Sequence, residues 1–355
     1  MHHRHPLPVL ITAIALSVAC ASATAEQAGQ QKPPQQQQTP ATPPKTTSGP
    51  PSTGTQGTPP PSTVASPEPG TTTATSGPTR PPAVAAPTQK DGVLFAVIGD
   101  TGTGTQSQYD IGKQLTAARA TFPFEFVIMV GDNIYGSERP QDFSQKFEKP
   151  YQALLDAKVP FYAALGNHDD PTQRYYKPFN MNGERYYTYT KGNARFFVLD
   201  SNYMDAKQIK WLEDQLSSSN DRWKIAYFHH PLYSSGGRHG SETDLRTQVE
   251  PLFVKYGVDV VFAGHEHFYE RIKPQKGIYY FTEGGSAKIA KGDIKKTTLT
   301  AAGFDADFSF MLTELDKEAM RFQVIARTGK PVDVGMLPLA PDPKRPSDDK
   351  TRSSQ

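Results

Sequence analysis

The 355-residue sequence has little cysteine, little charge bias and no long apolar run. Its one cysteine, Cys20, excludes a disulfide framework, so packing or bound metal must stabilise the folded part. The formal net charge of +2 argues against a nucleic-acid-binding protein. Residues 7–21 form an apolar run shorter than the roughly 20 residues that a membrane-spanning helix needs. We therefore expect no transmembrane span in the mature chain.

The first 25 residues are typical of a secretory signal peptide. Arg4 precedes the apolar run, and small residues at 23–25 form a cleavage site before Glu26. Export would place the protein outside the cytoplasm: secreted, in the periplasm or at the cell surface. A lipoprotein anchored through Cys20 is the alternative, although Ser17 fits the lipidation motif poorly.

Residues 26–90 contain no phenylalanine, tyrosine or tryptophan and are rich in proline, threonine, serine and glutamine. Such a composition buries too little apolar surface to offset the entropy lost on ordering. We predict a disordered linker over 26–90, which could tether the chain to a cell surface or wall, and a disordered tail over 337–355. Residues 91–336 are predicted to form one domain.

Six apolar runs of strand length occupy residues 93–99, 124–131, 160–166, 194–200, 223–229 and 258–264. Most are apolar throughout, which is typical of strands covered on both faces. A hairpin is predicted over 308–327, and helices are predicted over 205–216 and over 241–257. Ser241 is the expected cap of the second helix, and Pro251 interrupts its pattern. The sequence therefore predicts an α/β fold with two packed mixed β-sheets flanked by helices.

Polar residues follow five of these apolar runs. They are Asp100, Asp132, the pair Asn167 and His168, the pair His229 and His230, and the pair His265 and His267. Each one alone also fits a turn or a helix cap. Together they favour one site, because strand ends and their loops form the ligand crevice of α/β sheets. Carboxylate, amide and imidazole donors suit Zn, Mn or Fe, and there are enough for two ions that share a carboxylate.

The glycines after the first run also suggest a nucleotide-binding loop. However, Ser107 stands where a dinucleotide-binding motif would need its third glycine, and no lysine follows at the P-loop position. We interpret Gly102 and Gly104 as residues that let the backbone approach a metal site. Asp100 is then the functional residue of this stretch.

The motifs GDTG (99–102), GDNIY (131–135), GNHD (166–169), HHP (229–231) and GHEH (264–267) resemble the metallophosphoesterase superfamily. They are most similar to its purple acid phosphatase branch. Commoner members carry a histidine where this chain has Gly102, and the purple branch supplies a tyrosinate at the position of Tyr135. The resemblance implies the layered sandwich of calcineurin-like metallophosphoesterases.

The resemblance also implies roles for individual residues. Fe(III) would be held by Asp100, Tyr135 and His267, a divalent ion (Fe, Zn or Mn) by Asn167, His229 and His265, and Asp132 would bridge the two ions. His168 would act on the substrate. His239 would be a second catalytic histidine or a histidine of a surface loop, and Asp169 would orient a ligand or the backbone. His230 is expected to be packed or solvated, because successive strand side chains point in opposite directions.

These roles imply an exported acid phosphatase that hydrolyses small phosphomonoesters by attack of a metal-activated hydroxide. A phosphodiesterase or nucleotidase on the same site is one alternative. A non-catalytic surface-binding protein is the other.

Overall fold

The computed structural model describes residues 83–89 and 91–339. The predicted signal peptide with Cys20, the linker up to residue 82 and the tail from residue 340 lie outside the described residues. Within the described part, no helix is long and apolar enough to cross a bilayer.

Thirteen strands are present in the described residues. They are β1 (Val93–Ile98), β2 (Phe126–Met129), β3 (Phe161–Ala163), β4 (Tyr187–Lys191), β5 (Ala194–Val198), β6 (Trp223–Tyr227), β7 (Val260–Ala263), β8 (Tyr269–Gln275), β9 (Ile278–Glu283), β10 (Thr300–Phe304), β11 (Ser309–Leu315), β12 (Ala319–Ala326) and β13 (Pro331–Pro338). All six apolar runs contain a strand, and the predicted hairpin is β11 paired antiparallel with β12.

The strands form two mixed sheets. The six-stranded sheet has the order β13-β12-β11-β1-β2-β3, and the seven-stranded sheet has the order β10-β8-β9-β7-β6-β5-β4. Parallel pairing joins β1 to β2 and β2 to β3 in one sheet, and β5, β6, β7 and β9 in the other. The carboxyl ends of these parallel strands carry the polar motifs.

The helices are α1 (Gln106–Ala118), α2 (Pro140–Phe143), which continues as a π-helix over Ser144–Glu148, α3 (Gln152–Asp156), α4 (Ala206–Ser218) and α5 (Thr243–Tyr256). Two short 3₁₀ turns occupy Pro171–Tyr175 and Lys177–Phe179. Both predicted helices are present, and α5 runs through Pro251. The expected cap is wrong: Glu242 precedes α5, because the Ser241 hydroxyl is bound to the backbone of Ser234 instead.

The two sheets pack face to face around an aromatic core. Phe95 stacks on Phe126 with 5.3 Å between ring centroids, and Phe196 of the other sheet meets Phe95 edge-on at 5.5 Å. α1 covers the outer face of the six-stranded sheet with Ile111, whereas α4 and α5 cover the other outer face. Apolar surface is thus buried in three layers, which explains why the strands are apolar on both faces. The predicted fold class is confirmed.

Residues 83–89, which the composition assigns to the linker, contact the six-stranded sheet. The backbone N–H of Thr88 donates to the Glu314 carboxylate at 2.9 Å, and Ala83 N–H donates to Gly329 O at 2.8 Å. Gln323 also exchanges hydrogen bonds with the backbone of Ala85. The described domain therefore includes this short segment as well as β13, which ends at Pro338.

Candidate metal centre

Three of the predicted ligands have a left-handed backbone conformation. The φ angles are 53° at Asp100, 52° at Asp132 and 69° at His265. Residues other than glycine rarely adopt this backbone conformation. It costs about 1–3 kcal/mol per residue, and such strained residues are typical of functional sites. The backbone turn at the end of each strand therefore directs these three side chains into the site.

Asp100, Tyr135 and His267 form a first cluster. The Tyr135 hydroxyl lies 2.9 Å from Asp100 Oδ1 and 3.4 Å from His267 Nε2, and the imidazole nitrogen is 3.4 Å from the same carboxylate oxygen. All three donor atoms thus face one small space. Asp100 is fully buried there, and its second oxygen accepts the His265 backbone N–H at 2.9 Å.

Asn167, His229 and His265 form a second cluster of similar size. Asn167 Oδ1 is 3.0 Å from His229 Nε2 and 2.9 Å from His265 Nδ1, and the two imidazole nitrogens are 3.2 Å apart. His229 Nδ1 lies 3.0 Å from the carbonyl of Val130. A proton on Nδ1 satisfies that carbonyl and leaves the Nε2 lone pair directed at the cluster.

Asp132 lies between the two clusters. One of its carboxylate oxygens is 3.4 Å from His229 Nε2, and its ligand atoms lie within 4.8 Å of those of Asp100 and His267. The backbone N–H of His168 donates to Asp132 Oδ1 at 3.0 Å. The structure therefore brings all seven predicted ligands together, with Asp132 between the two clusters.

The donor set fits two cations. Donor atoms about 3 Å apart are the spacing expected around one ion with bonds of about 2.1 Å. Burial raises the pKa of Asp100 well above its usual range, and the Asp132 carboxylate raises it further. Burial also lowers the pKa of His265 to about 2 and of His267 to about 4, which keeps both imidazoles neutral. Two carboxylates buried this close together can both be ionised only beside a positive partner, which a metal ion supplies.

Two glycines make room for this arrangement. A Cβ atom on Gly166 would lie 2.2 Å from the Asp132 carboxylate. A Cβ atom on Gly102 would lie 2.0 Å from the backbone oxygen of Asn133. No side chain fits at position 102 in this backbone, and the Tyr135 hydroxyl is the donor that lies beside Asp100 and His267.

Asp169 connects two of the ligand-bearing loops. Its carboxylate accepts the backbone N–H groups of Asn133, Ile134 and Gly166 at 2.8–3.1 Å. Burial raises its pKa to about 8. The carboxylate also accepts hydrogen bonds from the side-chain amides of Asn133 at 3.0 Å and of Gln173 at 2.8 Å, and no ligand imidazole is among its hydrogen-bond partners in the described residues. Asp169 therefore fixes the loops that carry Asp132 and Asn167.

The other histidines of the described residues lie beside the two clusters. The His168 ring lies 4.9 Å from the Tyr135 ring, and the His239 ring stacks at 4.2 Å on that of His265. His230 is packed, which is one of its two expected environments: its ring is 4.5 Å from that of His265 at the second cluster. β6 has ended at Tyr227, so strand alternation no longer separates His229 from His230.

A cavity of about 380 Å³ opens beside the second cluster. Its walls include Asn167, His230, Ser201, Asn202, Tyr203 and Glu242. The lining is mainly polar, and Ser201 Oγ is 2.8 Å from His230 Nδ1. This is the space available to a ligand that reaches the second cluster.

Sequence analysis missed two charged residues at this site. Lys288 places its ammonium 3.9 Å from the Tyr135 ring centroid. Glu266, buried within GHEH, accepts the Gly240 N–H at 2.6 Å and lies 3.9 Å from His239. The motif GHEH signals a possible role for Glu266, whereas no pattern in the sequence indicates Lys288.

Comparison with known proteins agrees with this geometry. Residues 93–269 match the family model for calcineurin-like phosphoesterases. Purple acid phosphatase 17 of Arabidopsis thaliana is 29% identical over 253 residues, which cover 60% of this chain and 74% of that protein. The Fe(3+)-Zn(2+) purple acid phosphatase 12 of the same organism is 31% identical over 218 residues, covering 52% of this chain and 45% of the relative. The chain thus spans about half the length of several curated relatives.

Solved structures share the fold at lower identity. Purple acid phosphatase PPD1 from yellow lupin seeds has a TM-score of 0.57 and 20% identity, covering 75% of this chain and 58% of that one. GAP50, described as the anchor in the inner membrane complex of Plasmodium, has a TM-score of 0.63 and 20% identity, covering 72% and 92%. The chain therefore belongs to the calcineurin-like phosphoesterase family, in its purple acid phosphatase-like branch.

Proposed function

We propose that this domain is a dinuclear metal hydrolase that cleaves phosphomonoesters. The observation that carries the proposal is the convergence of two ligand clusters, each about 3 Å across, on the shared carboxylate of Asp132. Similarity to purple acid phosphatases supports it. When bound, two such ions polarise phosphoryl oxygens and provide hydroxide at neutral pH.

The two clusters suit different ions. Asp100 and Tyr135 supply anionic oxygens, which favour Fe(III) in the first cluster. Burial and the adjacent carboxylates raise the pKa of Tyr135, so a phenolate forms here only beside a strongly polarising cation. The neutral Asn167 with two histidines suits a divalent Fe, Zn or Mn ion in the second cluster.

Residues outside the ligand set would act on the substrate. His168 is partly exposed beside both clusters and would stabilise transferred charge or protonate the leaving alcohol. His239 is 41% exposed and stacks on a ligand, which leaves it free to contact substrate at the rim. Glu266 would position His239 through their 3.9 Å contact.

Two other functions are weighed against this one. A phosphodiesterase or nucleotidase would use the same ligands with different pocket walls. A non-catalytic binding role is the second alternative, since GAP50 is described as an anchor and shares the fold. The intact ligand set favours hydrolysis, because a binding surface does not require seven converging donors.

We further propose that the protein works outside the cytoplasm, on the strength of the signal-like residues 1–25. An exported chain would meet small phosphorylated substrates in the periplasm, in the medium or at the cell surface. Comparing fractionated cells for wild type and Cys20→Ser would separate a free from a lipid-anchored form.

The test of the proposed function is metal analysis and turnover of the purified full chain. We expect two metal ions per chain, a visible tyrosinate-to-iron absorption, and faster hydrolysis of p-nitrophenyl phosphate than of bis-p-nitrophenyl phosphate. Two ions without the absorption would refute only the Fe(III) assignment. Absence of transition metal or of hydrolysis would refute the proposal.

A further inference from the structure

We propose that Lys288 binds the phosphate of the substrate and makes the site select phosphomonoester dianions over diesters. This inference rests on the proposed hydrolase function and specifies its substrate class. Lys288 lies in the loop after β9, outside the seven metal ligands and the histidines considered above.

The loop that carries Lys288 is fixed to the metal centre on both sides. Ahead of it, Ser286 N–H donates to Gly99 O at 3.3 Å, beside Asp100. After it, Ala290 N–H donates to His267 O at 2.8 Å. The lysine is thus held at the first cluster by backbone contacts rather than reaching it from a distant surface.

The ammonium of Lys288 faces the reaction space. It lies 3.9 Å from the Tyr135 ring centroid. The Tyr135 ring also lies 4.9 Å from the His168 ring, and its hydroxyl is 3.4 Å from His267 Nε2. The ammonium therefore lies at the first cluster, on the tyrosine ring that His168 also contacts.

In residues 83–89 and 91–339, no carboxylate forms a salt bridge with Lys288, although the side chain is half-buried. Its cation–π contact with Tyr135 contributes only about 0.5–2 kcal/mol. The positive charge is therefore available to an incoming anion, and a phosphate oxygen is an acceptor that binds such an ammonium through a charge-assisted hydrogen bond.

The number of phosphate oxygens explains the selectivity. A monoester dianion has three non-bridging oxygens, so two can face the clusters while the third accepts a charge-assisted hydrogen bond from Lys288. A diester has two such oxygens and one negative charge. Once both of these oxygens face the clusters, a diester has no non-bridging oxygen left to accept a hydrogen bond from Lys288.

The experiment compares Lys288→Met, Lys288→Arg and Lys291→Met in the metal-loaded full chain. Lys291 is an exposed lysine of the same loop and serves as the matched control. Calorimetric titration with inorganic phosphate gives an affinity that does not depend on turnover. Steady-state rates for p-nitrophenyl phosphate and bis-p-nitrophenyl phosphate give the selectivity.

We expect Lys288→Met to weaken phosphate binding by about 10- to 100-fold, because a charge-assisted hydrogen bond is lost. KM for the monoester should rise with kcat less affected, and diester turnover should change little. Lys288→Arg should restore most of the affinity, and Lys291→Met should match wild type.

Wild-type phosphate affinity in Lys288→Met, or equal losses for both esters, would overturn the role of Lys288. So would an equal loss in Lys291→Met. Failure of the proposed function looks different: wild type would hydrolyse neither ester. The phosphate affinities of the same three variants would then still decide whether Lys288 binds the anion.

Discussion

The two clusters differ in charge and exposure although they are similar in size. The first is built from a fully buried Asp100, a tyrosine and a histidine, whereas the second has only neutral donors and includes the exposed Asn167. Donor atoms are about 3 Å apart in both. Spacing therefore cannot separate a trivalent from a divalent ion, and the charge of the donors must do so.

The surroundings of the two clusters also differ. The cavity of about 380 Å³ borders the second cluster, and Lys288 borders the first. Substrate would therefore lie with its phosphate toward the lysine and its alcohol toward the polar cavity. An ion held in the second cluster would be the more accessible of the two to solvent.

Replacing Asp132 should give the largest effect, because this residue lies between the two clusters. We expect Asp132→Asn to lower kcat/KM by more than about 1,000-fold and to weaken binding of both ions, since even groups that only orient a ligand are worth about 10–100-fold in metal affinity. Elemental analysis with kinetics measures both. Asp110→Asn, at a buried aspartate paired with Arg327, is the control for general destabilisation. Full metal content in Asp132→Asn would contradict the shared role.

His168→Ala should separate turnover from metal binding. We expect kcat to fall by about 100- to 1,000-fold, the range for a positioned acid–base group, while both ions stay bound. Its side chain lies against Tyr135, and only its backbone N–H contacts Asp132. Metal content and single-substrate kinetics test this. Loss of an ion would show that His168 is a ligand instead.

The sequence predicted the convergence of Asp100, Asp132 and His265 because each directly follows an apolar run. Tyr135, by contrast, was assigned only through the family resemblance. Asp100 and Asp132 could be placed at the edges of parallel strands without any knowledge of the loops. Their donor types also restrict the chemistry. The same logic predicted the two-sheet fold, since continuous apolar strands must be covered on both faces.

Residues that depend on the course of a loop could not be predicted in this way. Lys288 is brought to the site by hydrogen bonds of its neighbours to Gly99 and His267, which no spacing rule encodes. His230 faces the second cluster because its strand ends before it, and Ser241 leaves the capping position because it binds Ser234. The wrong cap came from extending a helix rule into a loop, and the strand-alternation argument for His230 fails for the same reason.

Tyr135→Phe should affect one cluster only. We expect the visible absorption to disappear and kcat to fall by about tenfold, while the divalent ion of the second cluster is retained, because neutral donors there are unchanged. Absorption spectra and elemental analysis report on the two clusters separately. Tyr151→Phe, at a buried tyrosine outside both clusters, should keep the absorption. Loss of both ions would mean that the clusters are not independent.

His239→Ala should give the smallest effect, because this side chain is 41% exposed and contacts a ligand only through ring stacking. Because solvent weakens the electrostatic interaction of such an exposed imidazole with substrate, we expect kcat to fall by no more than about tenfold. This is the weak end of acid–base contributions. The measurement is kcat with metal content at several substrate concentrations. Glu266→Gln should produce a similar loss if the 3.9 Å contact positions the imidazole. A drop as large as that of His168→Ala would instead make His239 an equal partner in proton transfer and would move the substrate toward the second cluster.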